Sequence, residues 1–210
     1  MAVQLLDQWL EKEQEKICQT YQDLNRLAHK EPEMVFLGDS IVEYYPVGEL
    51  LASQKHLVNR GVRGYHTQIL LKNIERLLAG DCLDKVFILI GTNDLGKGLS
   101  QKEIVENVER IVQEIFQRYP LVEVYLLSIL PVHEGESYRD KVYIRRNQDI
   151  KAVNQAYQEL AQSFVHLHYL DFYARFLDET GQLHPDFTTD GLHLSVEGYV
   201  ELSRLLQEYV

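Results

Sequence analysis

Glu31-Pro32-Glu33-Met34-Val35-Phe36-Leu37-Gly38-Asp39-Ser40 is the stretch on which the reading of the fold turns. Upstream of it, Leu6, Leu10, Ile17, Tyr21, Leu24 and Ala28 recur at three- or four-residue steps among Glu, Lys and Gln. That spacing predicts one long amphipathic helix over 3–29. Glu31 precedes a proline and so resists helix. Met34 to Leu37 is then an unbroken apolar run closed by Gly38, as in a strand buried on both faces.

The same alternation continues downstream. Apolar runs at Leu57–Val58, Val86–Ile90, Val124–Leu127 and Val165–Leu170 are separated by helix-like stretches at about 67–79, 101–119, 145–163 and 195–209. Strands alternating with helices predict an α/β fold in which helices cover both faces of a mostly parallel sheet. With five strands, the simplest arrangement is a flavodoxin-like three-layer α/β/α sandwich with strand order 2-1-3-4-5. No repeat, low-complexity tract or linker divides the chain, so 1–210 is expected to be one domain. The N-terminal helix within 1–31 either packs on it, extends from it or makes a homodimer contact.

Composition narrows the function. The chain has 210 residues, 45% hydrophobic and 25% charged, with a net charge of −11. These are globular proportions, and the acidity disfavours nucleic acid or an anionic membrane surface as partner. Two cysteines, Cys18 and Cys82, suit reduced structural thiols better than a disulfide scaffold. The first residues, Met1-Ala2-Val3-Gln4-Leu5-Leu6-Asp7, lack the pattern of a secretory leader. No apolar run approaches the ~20 residues of a membrane span. A cytoplasmic protein without integral membrane contact is expected.

In sheets of this kind, ligands bind beyond the carboxyl ends of the strands. Three loops leave that edge: Gly38-Asp39-Ser40, Asn59-Arg60-Gly61-Val62-Arg63-Gly64 and Gly91-Thr92-Asn93-Asp94. Near the end of the chain, Asp190-Gly191-Leu192-His193 adds an Asp-x-x-His turn. In such a turn the carboxylate can hold the imidazole in the tautomer that accepts a proton from a serine. The Asn93 amide can donate to a developing oxyanion, and glycines let a main-chain N–H approach a ligand. Each piece has an ordinary alternative: Ser40 as a helix cap, Asn93 as an Asx turn, Asp190 and His193 as a helix-entry loop.

Taken together and in this order, the four blocks resemble the SGNH (GDSL-type) esterases and lipases over most of residues 34–200. Within that family the chain is similar to bacterial proteins of the platelet-activating-factor acetylhydrolase type. The resemblance implies Ser40 as nucleophile, His193 as base and Asp190 as its orienting acid. It also implies an oxyanion hole from the N–H groups of Ser40 and Gly64 and the Asn93 amide, with Gly64 preferred to Gly61. Two-step acyl transfer on a small ester, with an acetyl group as the first expectation, then needs no metal or organic cofactor.

Lipase, lysophospholipase or thioesterase activity remains open, as does a non-catalytic binding scaffold. A flavodoxin-like nucleotide binder is disfavoured, because the chain lacks a Gly-x-Gly-x-x-Gly fingerprint after the first strand. The chain departs from the family's pattern at Ile41, where leucine is usual, and at Tyr65-His66, where many members carry Asp-Thr or Asp-Ser.

Other features are expected to be secondary. His166 and His168 alternate on one strand face without an evident third metal ligand, and His184 is expected to face solvent. Glu197 suits the final helix. Tyr44 and Tyr45 suit either a pocket wall or the core. The irregular stretch 131–146, with His133, Glu134, Tyr138 and Arg145, is a candidate lid or specificity loop.

Overall fold

Apolar side chains on both faces commit Met34–Gly38 to the interior, where all five residues are buried. In chain order the elements are α1 (Ala2–Leu27), β1 (Met34–Gly38), α2 (Ser40–Glu43), α3 (Val47–Leu50), β2 (Leu57–Gly61), α4 (Thr67–Leu77), β3 (Lys85–Leu89), α5 (Thr92–Gly96), α6 (Gln101–Arg118), β4 (Glu123–Leu127), α7 (Arg139–Val142), α8 (Asn147–Ala161), β5 (Leu167–Leu170) and α9 (Val196–Leu206). This computed structural model describes residues 2–81 and 83–210, with side chains from residue 8 onward. Cys82, Met1 and the side chains of residues 2–7, Leu6 among them, therefore lie outside the described residues.

The strands form one sheet in the order β2-β1-β3-β4-β5. Every neighbouring pair is parallel, so the mostly parallel expectation is realised as wholly parallel. Alternation along the strands splits the core in two. Val35, Leu37, Val86 and Ile88 pack against residues of α4, α6 and α8 on one face. Phe36, Phe87 and Leu89 pack against residues of α2, α3 and α9 on the other. Phe36 lies opposite Phe87 in register, with ring centroids 4.6 Å apart and nearly parallel planes. Phe87 in turn stacks on Tyr125 at 5.0 Å, and such a pair is worth about 0.5–1.5 kcal/mol beyond its buried area.

Register brings the loops together. Gly38 ends β1 level with Gly61 of β2 and Leu89 of β3. The turns that follow these three strands therefore open at one edge.

Several boundaries differ from the sequence reading. β2 runs through Asn59 and Arg60 to Gly61 although both side chains are polar. Asn59 spends its amide on the carbonyls of Val42 and Tyr45, and Arg60 donates to Asn25 of α1. β5 starts only at Leu167, because Val165 is exposed. α8 starts at Asn147, not near 145, because Arg145 is turned inward. The segment 131–146 contains a 3-10 turn at Glu136–Tyr138 and α7. Asn147 pins its start by exchanging hydrogen bonds with Val132 N and O, at 2.9 and 2.8 Å.

The long first helix packs along α4. Tyr21 Oη donates to Gly61 O at 3.0 Å, and Asn25 Nδ2 donates to Arg76 O at 3.0 Å. Among the described residues, no helix is long and apolar enough to cross a membrane.

Candidate active site

Ser40 opens α2, but the cap of that helix is Asp39, whose Oδ1 accepts from Ile41 N at 2.9 Å. A β-carbon on Gly38 would overlap Leu89 O and Val42, so only glycine lets this turn fold down over β3. Freed from capping, the Ser40 hydroxyl lies 2.9 Å from His193 Nε2.

His193 is held from behind. Its Nδ1 is 2.8 Å from Asp190 Oδ2, while Asp190 Oδ1 accepts the backbone N–H of His193 at 2.8 Å and of Leu192 at 3.1 Å. Burial alone would raise the Asp190 carboxyl, but hydrogen bonds from the His193 ring and backbone outweigh it and hold the group below its ordinary value. Asp190 is thus an ionised acceptor. The proton between it and His193 belongs to Nδ1, and Nε2 turns its lone pair towards Ser40. Lys141 of α7 stands 3.6 Å from Asp190 Oδ2.

The loops after β2 and β3 supply donors. Gly61 N–H is taken by Asn59 Oδ1 at 2.8 Å. Among the described residues, the N–H groups of Gly64 and Ser40 have no hydrogen-bond partner. Gly64 has φ +73°, and a β-carbon there would press on Gln14 and Leu10 of α1. The Asn93 amide donates to Tyr65 O at 2.9 Å, and its Oδ1 accepts from Arg145 at 3.1 Å. One amide N–H remains. Buried Asp94 accepts from the Thr67 backbone N–H at 3.1 Å and ties this loop to the start of α4.

A cleft of about 400 Å³ begins at Gly64 and Asn93. Leu10, Glu11 and Gln14 of α1 line it together with His66, Lys97 and Arg145. His66 is buried, its Nδ1 lacks a partner among the described residues, and burial pushes its pKa down. Sequence reasoning missed the α1 wall and the roles of Asp94 and Arg145; only the proximity of Asp94 to Asn93 was visible in the motif. Tyr44 lies with its ring 5.6 Å from that of His193, whereas Tyr45 is core, stacked on Tyr199.

Other candidates fall elsewhere. His166 and His168 both bond Glu123 at the opposite, amino-terminal edge of the sheet. Among the described residues, no group of three or more His, Cys, Asp or Glu is placed to hold a metal ion. His184 is half-buried, contacts the Phe187 ring and caps the 3-10 turn at Pro185–Phe187 through Asp186 N. Glu197 is in the exposed first turn of α9.

Asp39, fully enclosed beside Ser40, has its pKa raised from 3.8 to about 7, chiefly by burial. Its folded-state value lies above that of the unfolded chain. The stabilisation is therefore complete below the ordinary carboxylate range and is lost as pH rises through about 7. Relative to Asp39→Asn, the wild type is expected to lose up to roughly 4 kcal/mol of unfolding free energy across that interval. Denaturant titrations at the two ends measure it. A pH-independent difference would show that Asp39 does not titrate there.

Comparison with known proteins finds relatives of the chain. A sequence model of the GDSL-like lipase/acylhydrolase family matches residues 36–200. Human platelet-activating factor acetylhydrolase IB subunit alpha1 is 29% identical over 182 residues, covering 84% of this chain and 74% of that protein. A structure from Streptococcus pneumoniae, provisionally described as a platelet activating factor, is 51% identical with a TM-score of 0.97, covering 100% of this chain and 98% of that one. An acetyl-xylooligosaccharide esterase from Geobacillus shares the fold at 21% identity and a TM-score of 0.66, covering 85% of this chain and 93% of that one.

Proposed function

The chain belongs to the GDSL-like lipase/acylhydrolase family and is an ester hydrolase, and from that premise we propose that it cleaves short-acyl esters, acetyl esters first, through an acyl-enzyme on Ser40. The observation that carries this reading is the relay from Ser40 Oγ to His193 Nε2, 2.9 Å, and from His193 Nδ1 to Asp190, 2.8 Å.

In this mechanism Ser40 Oγ attacks the ester carbonyl while His193 Nε2 takes its proton. The oxyanion is met by the N–H groups of Ser40 and Gly64 and the free N–H of the Asn93 amide. The carbon–oxygen bond to the alcohol breaks, and the alcohol leaves with the proton from His193. Water, deprotonated by His193, then attacks the acyl carbonyl and frees the acid and Ser40. Asp190 stays ionised throughout and stabilises the imidazolium.

Two considerations favour a short acyl group. Among the described residues, the cleft at the oxyanion donors is lined by Glu11, Gln14, His66, Lys97 and Arg145, with Leu10 and Ile69 as its large apolar side chains. A long alkyl chain would gain little there, since its methylenes need apolar burial to be worth about 0.8 kcal/mol each. The relatives' named activities, on platelet-activating factor and on acetyl-xylooligosaccharides, share an acetyl group and differ in the alcohol.

Hydrolysis of p-nitrophenyl acetate, butyrate and octanoate tests the reading. The acetate is expected to exceed the octanoate by about tenfold or more in kcat/KM. A rate that rises with chain length would overturn the short-acyl assignment. Fluorophosphonate labelling that misses Ser40 would overturn the nucleophile.

A further inference from the structure

Arg145 is the residue whose surroundings exceed what a surface loop requires. It sits in the irregular stretch that reads as a lid, yet its side chain is buried, 9% exposed. Its Nε donates to Thr92 O at 2.8 Å and its Nη2 to Asn93 Oδ1 at 3.1 Å. Its Nη1 reaches Val142 O at 3.2 Å. A β-carbon on Gly96 would overlap the guanidinium, so α5 leaves out a side chain where the arginine enters. Burying a guanidinium costs several kcal/mol unless its donors are met, and burial lowers its pKa here, against the attraction of Asp39.

We propose that Arg145 is a positioning residue that sets the orientation of the Asn93 amide for oxyanion binding, an inference that rests on the assignment of Asn93 as an oxyanion donor. A side-chain amide has two orientations of similar shape and opposite chemistry. With Oδ1 on Arg145, Nδ2 donates one N–H to Tyr65 O and turns the other away from it. Without the guanidinium, Oδ1 loses its donor and Tyr65 O alone holds the amide, so the side chain can pivot about that one bond and its free N–H no longer points in a fixed direction. The cation also polarises the amide through that hydrogen bond, which makes the remaining N–H a stronger donor. Lysine cannot reproduce this, because one ammonium does not span Thr92 O and Asn93 Oδ1 as the planar fork does.

The test is a double-mutant cycle of Asn93→Ala and Arg145→Met, with kcat and KM measured on p-nitrophenyl acetate and thermal melts as the folding control. Asn93→Ala is expected to lower kcat by about 10²–10³-fold, and Arg145→Met by about 10²-fold with KM nearly unchanged. The double variant is expected to be no slower than Asn93→Ala alone. Arg145→Lys should lose nearly as much as Arg145→Met, and it carries the same cycle if the methionine variant does not fold. Losses that multiply in the double variant would overturn the positioning role while leaving Asn93 as a donor. Wild-type kcat in Asn93→Ala would overturn the oxyanion assignment itself, and this inference with it.

Discussion

Ser40→Ala is expected to lower kcat by about 10⁶-fold without destabilising the fold. The magnitude follows from how the triad would act. Once the hydroxyl is gone, His193 has no proton to take and Asp190 no imidazolium to stabilise, so one deletion costs as much as losing all three. The absence of a stability cost follows from local structure. A serine at the head of a helix ordinarily caps it, and its loss then costs about 1 kcal/mol. Here Asp39 is the cap of α2, and the hydroxyl of Ser40 makes its one side-chain bond to His193. An inactive variant with an unchanged melting temperature would match a nucleophile. A variant that melts early but still turns over p-nitrophenyl acetate would match a cap and remove the assignment.

That division of labour between Asp39 and Ser40 was not legible in the sequence, although most of the fold was. The apolar run Met34–Leu37 announces a buried strand because both its faces are covered, and the same holds for β3. β2 was read two residues long because Asn59 and Arg60 break the apolar pattern. The structure satisfies them individually, Asn59 on the carbonyls of Val42 in α2 and Tyr45 just after it, and Arg60 on Asn25.

Site residues were legible where chemistry sits in short motifs, as with Asp190 and His193 three positions apart. They were illegible where the partner is distant in sequence. Gln14 donates to Arg63 O from 49 positions away, which puts α1 against Gly64. An amphipathic stripe says that a helix packs, not what it packs on. The burial of Arg145 is illegible for a related reason: a charged residue in an irregular stretch is normally solvated. Nothing local records that Gly96, far along the chain, has made room for it.

The second large effect is expected at Asp190. Asp190→Asn should lower kcat by about 10⁴-fold, as when the aspartate of a serine–histidine–aspartate triad is replaced by its amide. Asparagine preserves the shape of the turn, and its oxygen has a forced position. The backbone N–H groups of His193 and Leu192 both point at Oδ1, at 2.8 and 3.1 Å, so the amide oxygen must stay there. The amide nitrogen then faces His193 Nδ1 and donates to it. Nδ1 can accept only if the ring proton moves to Nε2, and an Nε2–H cannot take a proton from Ser40. Lys141 loses its partner in the same change, but that contact is 3.6 Å and half solvent-exposed, so it contributes little. Because the backbone bonds survive, the melting temperature should barely move while turnover collapses. If Asp190 only shaped the turn, asparagine would do that equally well. Activity within about tenfold of wild type would then mean that His193 needs no oriented tautomer, and the relay from Asp190 through His193 to Ser40 would not be the source of catalysis.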